Sequence, residues 1–336
     1  MSGNNKFSGV GGTRGLVAPE LLRGLDYLPS FDFTEEILRG IRSSTGTGIA
    51  LPNQPALAPE LAAVACEQRF VPGPAGAPDV RVLVYTPAAR SGAKRPAVLH
   101  AHGGGYVLGN PEISDSANRA FVADLGCIIV SVDYRLAPET RYPGSLEDCY
   151  AALRWLHTQA EQLGVDRTRI AIAGESAGGG HAAALVQLAH RRGEFAVCFQ
   201  LLDSAMLDDR TGSVSDPRPH PYCGEFVWTA TSNRFGWRSL LGVEPGGPDV
   251  PVDAVPARAA DLRGLPPAFI SVGALDLFLE ENLEYARRLI HAGVPTELHV
   301  IPGAYHGFSI AGGDAPQVQT HLRLRRDALG RALTLG

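Results

Sequence analysis

Residues 174–180 read GESAGGG, directly after the apolar run RIAIA at 169–173. One serine, Ser176, sits among glycines between a strand-like segment and a helix-like one. Two readings of those glycines compete. They make only a sharp turn, or they hold Ser176 strained and exposed so that its hydroxyl can attack a substrate. GESAG fits Gly-x-Ser-x-Gly, in which small neighbours let strand and helix approach while the serine protrudes at the turn. The following helix adds free backbone N–H groups and the positive end of a dipole. The motif alone occurs often by chance, so the rest of the chain must decide.

Outward from this turn the sequence alternates. Short apolar runs bounded by Gly, Pro and Asp read as buried strands. They are CEQRFV (66–71), VRVLVYTP (80–87), AVLHAH (97–102), CIIVSVDY (127–134), RIAIAG (169–174), FAVCFQLLD (195–203), AFISVGALD (268–276) and TELHVIP (296–302). Helical patterns fall at 114–126, 145–164, 177–193 and 280–293. The second sets Leu146, Tyr150, Leu153 and Leu156 on one face and stops at Gly164. A shorter helix at 33–44 has Thr34 as its cap. The alternation predicts an α/β fold with an eight-stranded, mostly parallel central sheet flanked by helices. No helix separates the first two strands, so an antiparallel hairpin is expected at that edge. Residues 206–262 break the pattern. They hold Phe226, Trp228, Phe235 and Trp237 and read as a lid-like insertion over an apolar subcore.

Bulk properties narrow the function. The 336 residues are 45% hydrophobic and carry a formal charge of -5, with no basic run, which argues against a nucleic-acid partner. No stretch reaches the roughly 18 apolar residues of a membrane span, and the first residues lack a signal-peptide pattern, so a cytoplasmic protein is expected. Cys66, Cys127, Cys149, Cys198 and Cys223 show no metal-type spacing and read as reduced thiols.

In an open parallel sheet, reactive groups gather beyond the carboxyl ends of the strands. Four elements follow predicted strands: His102–Gly105, Ser176, Asp276 and His306. A serine hydroxyl needs a base at neutral pH, and His306 in YHGF is placed to serve. A carboxylate that fixes the imidazole tautomer completes the set. Asp276 in GALD is the choice and Asp203 the main rival. Glu280 and Glu281 read as first-turn helix acids. The order Ser176, Asp276, His306 is that of α/β-hydrolases. The run HGGG lets the backbone curl its N–H groups toward one point, so Gly103 and Gly104, with Ala177, are the expected oxyanion donors.

HGGGY, VDYRLAPE, GESAGG, GALD and YHGF, in this order, resemble the hormone-sensitive-lipase-like (bacterial family IV) carboxylesterases of the α/β-hydrolase fold. The likeness spans about residues 80–310. It implies the same triad and oxyanion donors, and a structural role for 132–139 near the site. It also implies a mainly helical cap built from residues 1–50 and 206–262 on a catalytic domain of 51–205 and 263–336. Glu175 stands where the family more often has Asp. The implied substrates are soluble short-to-medium acyl esters, with no metal or cofactor, and the aromatic cap suggests aryl esters among them. Tyr106, Phe226, Trp228 and Phe308 are candidate pocket residues, and TELHVIP is a candidate dimer edge. Rival readings are amide, lactone or carbamate hydrolysis on the same fold, and a ligand receptor on a hydrolase scaffold. Two more are a metal site on His100, His102, Asp276, His181 and His306, and a dinucleotide fingerprint in GVGGTRG (9–15).

Overall fold

The computed structural model describes residues 12–28, 30, 32–45, 57–88 and 92–334. Its strands are β1 (Ala65–Val71), β2 (Val80–Thr86), β3 (Arg95–Ala101), β4 (Ile128–Val132), β5 (Val165–Glu175), β6 (Phe199–Asp203), β7 (Ala268–Gly273) and β8 (Thr296–Ile301). They form one sheet in the order β1-β2-β4-β3-β5-β6-β7-β8. β2 is antiparallel to both β1 and β4, so the expected hairpin is present. Every other pairing is parallel.

The longer helices are α1 (Glu35–Thr45), α2 (Asp115–Leu125), α3 (Gly144–Thr158), α4 (Ala177–Arg192), α5 (Ala230–Leu241), α6 (Leu279–His291) and α7 (Pro316–Thr334). Alternation along the strands divides the core. Leu99, Ile172, Leu202 and Ile270 pack with side chains of α3, α4 and α6. Val98, Ala171, Leu201 and Phe269 pack with those of α2 and α7. Each fully buried aliphatic side chain contributes roughly 1.5–3 kcal/mol. β4, β6 and β7 are buried along their whole length, as strands covered on both faces must be.

Some boundaries differ from the sequence reading. The helix expected at 145–164 is interrupted at Gln159, and a separate turn, Ala160–Leu163, ends at Gly164 in the left-handed region. α1 starts at Glu35, and the Thr34 hydroxyl accepts the Ile37 N–H as expected of its cap. GVGGTRG opens outside the described residues, and Thr13–Leu16 is a 3-10 turn that no strand precedes among the described residues. A dinucleotide fingerprint needs that strand.

Residues 206–262 hold α5 and two 3-10 turns, Val252–Ala254 and Pro256–Arg258. Chain from the N-terminal side lies against them. Phe33 N–H donates to Ser232 Oγ at 3.1 Å. Thr229 Oγ1 donates to Asp32 Oδ1 at 2.6 Å, and Val227 N–H donates to Ser30 Oγ at 2.6 Å. Phe33, Leu38, Phe235, Trp237 and Leu240 share one apolar cluster with Tyr106 and Val107 beside the glycine loop. Among the described residues, no helix is long and apolar enough to cross a membrane.

Candidate active site

Ser176 links β5 to α4 with φ 56° and ψ -124°, a conformation rare for a residue with a side chain. Such strain costs on the order of 1–3 kcal/mol and persists only where the surroundings enforce it. Here they do. Ser176 N–H donates to the Asp203 carbonyl, and the Ser176 carbonyl accepts from Met206 and Gly180. The glycines make this possible by close approach: a Cβ on Gly178 would overlap the Ala101 carbonyl oxygen at the end of β3. The two readings of GESAGGG are therefore one, since the tight turn is what presents the hydroxyl.

Ser176 Oγ lies 3.0 Å from His306 Nε2, and His306 Nδ1 lies 2.9 Å from Asp276 Oδ2. A carboxylate only accepts, so the Nδ1 proton faces Asp276 and Nε2 is left to accept from the serine. Asp276 is fully buried, and its Oδ1 accepts the Phe278 N–H at 3.0 Å. The loops that carry Asp276 and His306 are joined by Leu275 N–H donating to the Ala304 carbonyl at 2.8 Å. Phe278 stands edge-on to the imidazole, with ring centroids 5.2 Å apart. Burial opposes charge on His306, but the Asp276 carboxylate outweighs it and raises the imidazole above its ordinary value.

The rival acid is engaged elsewhere. Asp203 accepts from Ser271 Oγ at 3.1 Å, faces His321 Nε2 at 3.0 Å and pairs with Arg325 at 3.2 Å.

The glycine loop lies against the serine turn: a Cβ on Gly103 would sit 3.4 Å from Ser176 Cβ. Gly104 has φ +125°, where a Cβ would overlap the Leu108 carbonyl, so only glycine fits. Among the described residues, no backbone carbonyl accepts the N–H of Gly103, Gly104 or Ala177.

The metal-site reading does not assemble. β3 ends at Ala101, and the two histidines of HAH part there. His100 bonds Ser131 Oγ and Glu175 Oε2, each at 2.8 Å. His102 instead stacks on Tyr134, whose ring is edge-on to His181. Glu175 also accepts from Ser114 Oγ; burial works against its charge, but His100 and that bond hold it down to about 2.

The pocket candidates separate. Trp228 faces His306, with ring centroids 6.4 Å apart, and a Cβ on Gly105 would overlap its ring. Phe226 packs edge-on to Tyr305. Tyr106 is buried, donating to the Met206 carbonyl at 3.1 Å. Phe308 is buried against His321 at 5.0 Å. Tyr106 and Phe308 are thus packed in the interior, because apolar rings beside a buried loop fill the space behind it.

Sequence reading took Glu281 for a first-turn helix acid and passed over Arg42. Glu281 does stand in the first turn of α6, but it is buried. It accepts the Leu207 N–H at 2.6 Å and the Thr211 hydroxyl, which anchors the start of the insertion. Its place on the buried stripe with Phe278, Tyr285 and Leu289 was a usable signal. Arg42 donates to the Val107 and Ala137 carbonyls, each at 2.7 Å, and pairs with Glu139, tying α1 to the far end of the glycine loop.

With this geometry in hand, comparison with known proteins is informative. The family described as alpha/beta hydrolase fold matches residues 98–310. Esterase LipI of Mycobacterium tuberculosis is 35% identical, over 89% of this chain and 90% of that protein. The chain belongs to the hormone-sensitive-lipase-like carboxylesterases of the α/β-hydrolase fold. Carboxylesterase NlhH of the same organism is 36% identical, over 84% of this chain and 86% of that protein. A solved bacterial heroin esterase superposes with a TM-score of 0.86 and is 37% identical, covering 96% of this chain and 99% of that one. The chemistry of this class is hydrolysis of carboxylic esters by a serine enzyme.

Proposed function

We propose that the chain hydrolyses soluble short-to-medium acyl esters through an acyl-enzyme on Ser176. The observation that carries this reading is the continuous hydrogen-bonded line Asp276–His306–Ser176 beside three backbone N–H groups that no carbonyl accepts among the described residues. His306 Nε2 takes the Ser176 proton as Oγ attacks the ester carbonyl. The oxyanion that forms is held by Gly103, Gly104 and Ala177 N–H. The protonated imidazole then gives its proton to the leaving alkoxide. Water, deprotonated by the same imidazole, attacks the acyl carbonyl and releases the acid, restoring the serine.

Residues 12–45 and 206–262 are read as the cap of this site, in keeping with their mutual contacts. Trp228, placed over Gly105 and facing His306, supports a pocket bounded on the glycine-loop side. That bound favours small acyl groups. Aryl alcohol groups suit an aromatic wall. The test is Ser176→Ala assayed on p-nitrophenyl butyrate. Activity is expected to fall by about 10⁴-fold or more, and retention of most of it defeats the acyl-enzyme route.

A further inference from the structure

Each expected oxyanion donor is aimed from behind. A trans peptide is planar, so its N–H points opposite to its own C=O. The Gly103 N–H shares a peptide with the His102 carbonyl, and the Tyr134 hydroxyl donates to that oxygen at 2.7 Å. The Gly104 N–H shares a peptide with the Gly103 carbonyl, which accepts a hydrogen bond from His102 Nδ1 at 2.8 Å. The Ala177 N–H shares a peptide with the Ser176 carbonyl, which accepts from Met206 at 2.9 Å and Gly180 at 3.1 Å. The first two tethers belong to one unit. The Tyr134 and His102 rings stack with centroids 4.3 Å apart and planes 8° from parallel. Both side chains are 1% exposed or less.

We propose that Tyr134 and His102 are positioning residues for ester hydrolysis, holding the Gly103 and Gly104 amides toward the developing oxyanion. The proposal rests on the serine-esterase reading above. Three physical arguments support it. A glycine run is the backbone most free to rotate, so its amides need an external constraint if they are to be preorganised. A hydrogen bond into the C=O of an amide also polarises that amide's N–H, strengthening it as a donor. Finally, His102 Nδ1 must carry its proton, because a carbonyl oxygen only accepts. Burial suits this by keeping the imidazole neutral, its value pushed down to about 4.

Tyr134→Phe removes one hydroxyl and leaves the ring stack in place. Labelling by diethyl p-nitrophenyl phosphate first counts reactive serines. A wild-type protein that takes no label defeats the serine-esterase reading itself, separately from the role of Tyr134. Per labelled site, kcat on p-nitrophenyl butyrate is expected to fall about 10-fold, less than the loss of a whole donor. KM should stay within about twofold, and affinity for a trifluoromethyl ketone should fall by the same factor as kcat. An unchanged kcat, or a rise in KM alone, overturns the proposal and leaves the hydroxyl a packing role. If Tyr134→Phe does not fold, His102→Asn against His102→Leu carries the test. Asn keeps an N–H donor close to the Nδ1 position and Leu removes it. The Asn variant is expected to keep about 10-fold more kcat, and equal values overturn the proposal.

Discussion

Two buried His–Asp pairs stand at the carboxyl ends of adjacent strands, and only one of them meets a serine hydroxyl. His306 and Asp276 are 2.9 Å apart, His321 and Asp203 3.0 Å. By distance they are equivalent. They differ in what else each acid holds. The second oxygen of Asp276 accepts one backbone N–H, so its charge is left to serve the imidazole. Asp203 is buried at a cost to its charge, but His321 and Arg325 more than offset this and hold it below the usual carboxylate range. The histidines differ as well. His306 presents Nε2 to a hydroxyl, whereas His321 is sealed beneath Phe308. A His–Asp pair is therefore a scaffold element until its acid is free of cations and its base has something to deprotonate.

Substitution breaks this comparison most directly. Asp276→Asn is expected to lower kcat by about 10⁴-fold with little loss of fold. Asp203→Asn should do the reverse, leaving kcat within about threefold while costing roughly 3 kcal/mol of stability, since Arg325 is left buried and unpaired. Steady-state kinetics and urea unfolding on the same preparations read both, and a matching pattern in the two variants would erase the distinction.

A third buried acid sharpens it. Burial, then repulsion from Asp208, raises Glu281 well above its ordinary value. Its stabilising share is complete below pH 4.5 and fades as pH rises through the folded value. Glu281→Ala should cost about 2 kcal/mol by orphaning the Leu207 N–H and Thr211 hydroxyl. Glu281→Gln should stay within about 1 kcal/mol of wild type at pH 7. Urea midpoints test the order, and a Gln variant as weak as Ala would show that charge matters there.

The smallest effect is expected in the pH profile. His306 acts as a base only when neutral, so kcat/KM should rise with pH through an inflection above 6.5. In Asp276→Asn the residual activity should show that inflection at lower pH, because burial then acts with less opposition. An upward move would mean that another group sets the profile.

Much of this was legible in the chain. Strand alternation, and the clustering of HGGG, Ser176, Asp276 and His306 at strand ends, follow from local composition and from the geometry of parallel sheets. The choice of Asp276 over Asp203 came from chain order and from the resemblance of GALD rather than from local composition, because both acids end strands and the cations near Asp203 come from α7, more than a hundred residues later. Glu281 was read only as a helix-start acid, a sufficient local explanation that outweighed its place on the buried stripe of α6. Tyr106 and Phe308 adjoin reactive motifs in sequence yet pack inward, since neighbours along a loop need not face the same way. The tether from Tyr134 to the His102 carbonyl lies beyond pattern reading, which sees side chains and not the orientation of peptide planes.

The clasp between Ser30–Phe33 and Val227–Ser232 also has a consequence for timing. These partners are separated by 197 to 199 positions. During synthesis the early segment must wait until its partner has been made, and closing so long a loop is slow compared with forming a local helix. The wall above the glycine loop thus cannot close until two thirds of the chain exist, and a ribosome-bound chain that stops short of residue 227 holds β1–β6 and Ser176 but neither this clasp nor β7, β8, Asp276 and His306.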